Sequence, residues 1–167
     1  MTPIELQREL AEETENILKD IMCKTVSGKP ANIRAFCQSL PKQMQNITAG
    51  PLAAKEEGDD TYPFCVVRID SGELEAVNGV MEIRTTLVFG IFDDDVSCQG
   101  HQIMLTMFQR IMERFAKNPV LNDRYQMNPA EGVEWTLDDE DRHPYYLGAM
   151  SMAWNTIFAG REEERYV

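Results

Sequence analysis

The spacing of hydrophobic positions changes between residues 80 and 117, and the rest of the chain is read around that change. Ile83, Thr85, Leu87, Phe89 and Ile91 alternate with Glu82, Arg84 and Thr86, the period of two expected of a strand with one face in water. Val88 and Phe92 then bring apolar side chains to the second face. This predicts a long strand whose later half is covered on both faces, by a helix or by another subunit. Ile103, Met104, Met107, Phe108, Ile111, Met112 and Phe115 follow at three- and four-residue spacing, which predicts an amphipathic helix as the cover. Asp93, Asp94, Asp95 and Ser97 precede that helix as expected cap acceptors. Arg110, Arg114 and Lys117 sit toward its negative end, and Asn118-Pro119 stops it.

Upstream, Thr2-Pro3-Ile4-Glu5 joins an N-cap, a proline at the first helical position and a capping-box glutamate. A helix over about 3–23 is predicted, with Ile4, Leu6, Leu10, Ile17, Leu18, Ile21 and Met22 on its apolar stripe. Glu9, Glu12, Glu13 and Glu15 form its wet face. Ser27-Gly28-Lys29-Pro30 is turn chemistry. In residues 31–62, Ile33, Phe36, Leu40, Met44 and Ile47 suit a strand, a short helix or a docked loop equally, and Lys55 to Thr61 reads as a polar surface loop.

Phe64 to Asp70 is short, apolar and β-branched, and predicts a strand hairpinned to the one from Val80 through a nine-residue projecting connection, Ser71 to Gly79. Short strands are expected at Tyr125 to Met127 and through Val133, Trp135 and Leu137. A long last strand puts Tyr146, Met150, Met152, Trp154 and Phe158 on one face and Ala149, Ser151, Ala153 and Asn155 on the other, a small-residue face suited to close packing. The order predicts an α+β fold: a mainly antiparallel sheet with the N-terminal and central helices packed on one side. A single domain over 1–167 is expected, with its core over about 63–159 and a charged tail at 160–167.

Composition narrows the function. The net charge of -12 is spread along the chain without a basic cluster, which argues against tight nucleic-acid binding. An acidic surface instead keeps DNA from sticking or imitates it toward a basic partner. No apolar run approaches the roughly 20 residues of a membrane span and the charged N-terminus lacks a signal-peptide core, so a cytosolic chain is expected. Cys23, Cys37, Cys65 and Cys98 are scattered and read as buried thiols rather than ligands or disulfides.

Catalytic motifs are missing: there is no P-loop, no dinucleotide glycine pattern and no G-x-S-x-G, and His101 and His143 lie far apart without metal-ligand spacing. Asp93 to Asp95 and Asp138 to Asp141 are the candidates for a divalent cation in a phosphoester hydrolase. Each also fits a helix start or a turn. The methionines read as core packing, and no cofactor, metal site or catalytic residue is expected.

Several segments together carry a resemblance: P-F-C-V-V-R-I-D at Pro63 to Asp70, L-V-F-G-I-F-D at Leu87 to Asp93, G-H-Q-I at Gly100 to Ile103, V-E-W at Val133 to Trp135, and H-P-Y-Y-L-G-A-M with Trp154. Over roughly Pro63 to Phe158 the chain resembles the tail terminator, or tail-to-head joining, proteins of tailed bacteriophages and prophages. The resemblance implies a small α+β subunit of a hexameric ring that caps the tail tube and meets the head connector, in the virion and, during assembly, in the host bacterial cytoplasm. It implies self-association in place of catalysis, with DNA passing through unbound. Glu73, Leu74, Glu75 and Val77 on the connection, and Tyr145 and Tyr146 on the last strand, are the candidate subunit contacts. A head-completion or neck ring protein, an acidic DNA-mimic inhibitor and the cation-dependent hydrolase are the alternatives.

Overall fold

A computed structural model describes residues 2–41, 61–75, 77 and 79–157. The predicted hairpin is its centre. β4 (Phe64–Glu75) and β5 (Val80–Phe92) pair antiparallel along their whole length, and β9 (Tyr145–Ile157) runs antiparallel on the other side of β5, from Val80 opposite Ile157 to Phe92 opposite Tyr145. Ile83, Leu87, Phe89 and Ile91 point to one face and are fully buried there, with Met150, Met152 and Trp154 beside them.

Both helices cover that face. α1 (Pro3–Ile17) contributes Leu6, Leu10 and Ala11; α2 (His101–Lys117) contributes Met104, Met107, Phe108, Ile111 and Phe115. Each large side chain removed from water here contributes about 1.5–3 kcal/mol. Edge-to-face rings fix the packing: Phe89 meets Phe108 at 5.5 Å, and Phe115 meets Trp154 at 5.1 Å between centroids. Arg114 Nε donates to Glu13 Oε1 at 2.7 Å, tying the helices together, and its other nitrogens reach the Asn118 and Val120 carbonyls beyond the end of α2. The α+β architecture with helices on one side is as the pattern predicts.

The second face of β5 is covered near Phe92. Tyr62, Phe64, Val66 and Phe92 form a separate apolar cluster with Val26, Phe36, Leu40, Val88, Tyr145 and Leu147 partly buried around it. The cover among the described residues consists of sheet neighbours and the 25–40 region, not a helix. Residues 23–37 hold β1 (Cys23–Lys24), β2 (Pro30–Ala31) and β3 (Arg34–Cys37), so that the start of the ambiguous stretch from residue 31 forms short strands. β1 and β2 close as a hairpin with Gly28 at φ +85, and β3 runs parallel to the start of β4.

Four expectations change. The first helix has the full capping box, with Thr2 N to Glu5 Oε2 at 2.7 Å, but ends at Ile17 rather than near 23, because Cys23 and Lys24 leave to join the sheet beside Phe92. Ile4 and Met22, placed on the stripe, are exposed. The central helix starts at His101 behind Gly100, with no side-chain cap: Asp93 accepts from the Asp95 N–H and Asp95 from the Ser97 N–H, so these carboxylates fold the loop instead. Cys37 and Cys98 are exposed, while Cys23 and Cys65 are buried as expected.

The nine-residue connection also shrinks. Strand pairing continues past a bulge at Asp70 to Glu75 opposite Val80, so residues 71–75 are strand. On the far side of β9 lie β7 (Tyr125–Met127), with β6 (Val120–Leu121) outside it, and β8 (Val133–Leu137). The small-residue face of β9 meets the 128–132 loop, where Glu131 pairs with Arg84 at 3.3 Å. Phe158, Met44, Ile47, residues 55–60 and the tail lie outside the described residues.

Candidate functional site

Among the sheet edges left without a described partner strand, two combine that opening with exposed large apolar side chains. β3 covers β4 only from Phe64 to Val67. The Gln38 side chain extends that cover by one residue, accepting from the Ile69 N–H at 3.0 Å and donating to the Ile69 carbonyl at 3.3 Å, as a paired strand would. Beyond it, residues 71–74 have β5 on one side and no described strand on the other. On the opposite side of the sheet, β8 pairs only with β9.

These two edges carry the exposed apolar surface. Leu74 is 52% and Val77 80% exposed at the hairpin end, and Trp135 on β8 is 46% exposed although its ring lies 5.8 Å from Phe108. Trp135 pairs with Met150 and so faces the helices, but at the rim where α2 covers it incompletely. Glu73 stands directly opposite Glu82, a like-charge pair relieved on one side by Arg84 and Asn128, which contact Glu82 at 2.9 Å. Glu75 ends the strand.

The candidate contact residues fall into two groups that the fold does not bring together. Glu73, Leu74, Glu75 and Val77 lie at the Val80 end of β5; Tyr145 and Tyr146 lie at the Phe92 end, about 40 Å away at ~3.3 Å per residue. Both tyrosines are half-buried and engaged within the chain. Tyr145 packs on Tyr62 at 4.8 Å and Phe92 at 5.7 Å. The ring of Tyr146 lies over Gly100 so closely that a Cβ there would collide with it.

At that same end is a cavity of about 390 Å3 whose lining includes Cys98, His101, His143 and Tyr146. The loop from β5 to α2 delivers Cys98, and the acidic turn before β9 delivers His143. Cys98 Sγ is 3.6 Å from His143 Nδ1, and the same nitrogen is 3.3 Å from the Tyr146 hydroxyl. Burial raises the Tyr146 pKa against an opposing pull from the Gly100 N–H. Both histidines of the chain therefore converge on one pocket, which their spacing in sequence concealed. The signal present in the sequence was weak: Cys98 and His101 flank the helix start, and His143 precedes the tyrosine pair.

The acidic runs beside the pocket are occupied with turns. Asp138 Oδ1 accepts from the Glu140 N–H and Asp141 Oδ1 from the His143 N–H, both at 3.1 Å. Arg142 pairs with Asp138 and Glu140. The Glu140 N–H, then Arg142, lower the Asp138 pKa; the Ser97 N–H and hydroxyl lower that of Asp95. Among the described residues no group of three His, Cys, Asp or Glu side chains is placed to hold a metal ion. Nor is any described helix long and apolar enough to cross a membrane. Comparison with known protein families and with characterised proteins gives no match.

Proposed function

We propose that this chain is a ring-forming virion assembly protein that caps a bacteriophage tail tube and joins it to the head connector. The observation that supports it best is the pair of open edges on opposite sides of one sheet, residues 71–74 and Val133–Leu137, each with exposed apolar side chains. Two unlike surfaces on one subunit are what a head-to-tail contact needs, and such contacts close into rings when the rotation permits. Unpaired strand edges recruit another strand through main-chain hydrogen bonds. A ring of six follows from the resemblance of Pro63 to Asp70, Leu87 to Asp93 and the Tyr145-Tyr146 region to tail terminator proteins. The net charge of -12 suits a channel through which DNA slides without sticking.

The test is the mass of the purified protein across a concentration series, by light scattering with size exclusion, followed by negative-stain imaging with and without isolated tail tubes. A sixfold ring is the expected result. Leu74→Lys with Val77→Lys should leave the folded subunit intact, since both side chains are exposed, and abolish the ring. A variant that stays monomeric yet still completes tails would overturn the proposal. Binding to the head connector without binding to tail tubes would assign the ring to the neck instead.

A further inference from the structure

The pocket at the Phe92 end of the sheet borders the β8 edge at Leu137 and carries chemistry of its own. Cys98 is exposed, and its Sγ shares His143 Nδ1 with the Tyr146 hydroxyl, at 3.6 and 3.3 Å. One imidazole nitrogen accepts one proton. The phenol, its pKa raised by burial, keeps its own proton near neutrality, whereas a thiol surrenders its proton more readily. His143 is thus placed to ionise Cys98 and no other nucleophile.

We propose that Cys98 is a covalent modification site for small cationic disulfides of the aminothiol class, with His143 as its proton acceptor and donor. His143 takes the thiol proton, and the Cys98 thiolate attacks one sulfur of the disulfide. The old S–S bond breaks as a new one forms to Cys98. The departing thiolate then takes the proton from the His143 imidazolium, so one disulfide is exchanged for another and one thiol is released.

The surroundings select the charge of the reagent. Asp93 and Asp141 act on Tyr146, and His143 acts on the carboxyl of Asp95. Arg142 pairs with both Asp138 and Glu140 and offsets one of their two charges, and Lys24 is held by Asp94. His101 is the remaining titratable base on the lining. The excess is negative, which attracts a cationic disulfide and repels an anionic one.

Cys37 supplies an internal control. It is the other exposed cysteine, and both histidines of the chain are committed to the Cys98 pocket. The full chain is treated with cystamine or with glutathione disulfide, and the modification of each cysteine is followed by peptide mass spectrometry from about pH 6 to about pH 10. At about pH 7 cystamine should modify Cys98 roughly tenfold faster than Cys37, and faster than glutathione disulfide does. His143→Gln should slow Cys98 about tenfold near neutrality, with the difference vanishing at about pH 9 and above, where the thiol ionises unaided. Tyr146→Phe, which frees Nδ1 from its competitor, should accelerate it. Equal rates at Cys98 and Cys37 in the native chain would overturn the proposal whatever the variants do. A His143→Gln profile superimposable on the native one would overturn the role of His143, and faster reaction with glutathione disulfide would overturn the charge selectivity.

Discussion

Thr85 is the one hydroxyl in the inward row of β5, 1% exposed between Ile83 and Leu87. Its Oγ1 donates to the Met152 carbonyl at 3.0 Å and accepts from Trp154 Nε1 at 3.2 Å. Thr85→Val keeps the shape and β-branching while exchanging the hydroxyl for a methyl. By transfer free energy alone the change favours folding by up to about 0.8 kcal/mol. The indole N–H of Trp154, itself 0% exposed, would then be buried without an acceptor, which costs about 1–3 kcal/mol. The orphaned donor outweighs the methyl, leaving a net loss of about 1–2 kcal/mol. For a chain of this length that is a fall in Tm of roughly 3–6 °C. Thermal unfolding by circular dichroism, with urea titration to check that the m-value is unchanged, reads it directly. In a Trp154→Phe background the donor is gone, so the same Thr85→Val change should cost little or become favourable, a coupling of about 1–2 kcal/mol. A Tm at or above that of the native chain, or an equal penalty in both backgrounds, would refute this account.

Two further outcomes are expected. Gly90→Ala would drive a Cβ into the Phe64 ring and should destabilise by about 1–3 kcal/mol in urea titration, with Phe64→Leu restoring part of the loss by making room. Asp95 and Asp138 have lowered pKa values, held down first by the Ser97 and Glu140 N–H groups, so their contribution to stability is complete above the unfolded carboxylate value of 3.8 and disappears as pH falls through the lower folded values. Asp95→Asn and Asp138→Asn should therefore lower Tm at about pH 7, and the difference should shrink as pH falls below the unfolded carboxylate value.

Elements with strong, local patterns were legible. The strand from Val80 to Phe92, the helix from His101 to Lys117 and the short strands Tyr125–Met127 and Val133–Leu137 follow from alternation or three-and-four spacing, because their buried faces are built from residues close in sequence. The boundaries failed where a long-range partner overrode the local pattern. Ile17, Leu18, Ile21 and Met22 have helical spacing, yet pairing of Lys24 with Phe92 draws the chain out of the helix. Gly72 looks like part of a turn, but β5 holds 71–75 extended opposite Arg84 to Val80, and the turn is confined to the stretch that ends at Gly79, with φ +65. The hairpin from β6 to β7 was readable in principle, since Asn122 and Asp123 both take positive φ, a conformation these residue types tolerate.

The sequence by itself determined the α+β class, the inward faces of the long strands and helices, the capping box at Thr2 and the acidic surface, all of which depend on residue type and spacing along one element. The tertiary structure decided what spacing cannot encode. Strand order is set by which neighbour completes each backbone's hydrogen bonds, and it leaves residues 71–74 and Val133–Leu137 as opposite edges. The same order sends Glu73, Leu74, Glu75 and Val77 to one end of the sheet and Tyr145 and Tyr146 to the other. Cys98 and His143 meet for a related reason: the pairing of Phe92 with Tyr145 forces the loop after β5 and the turn before β9 to the same end, closing 45 residues of sequence to 3.6 Å.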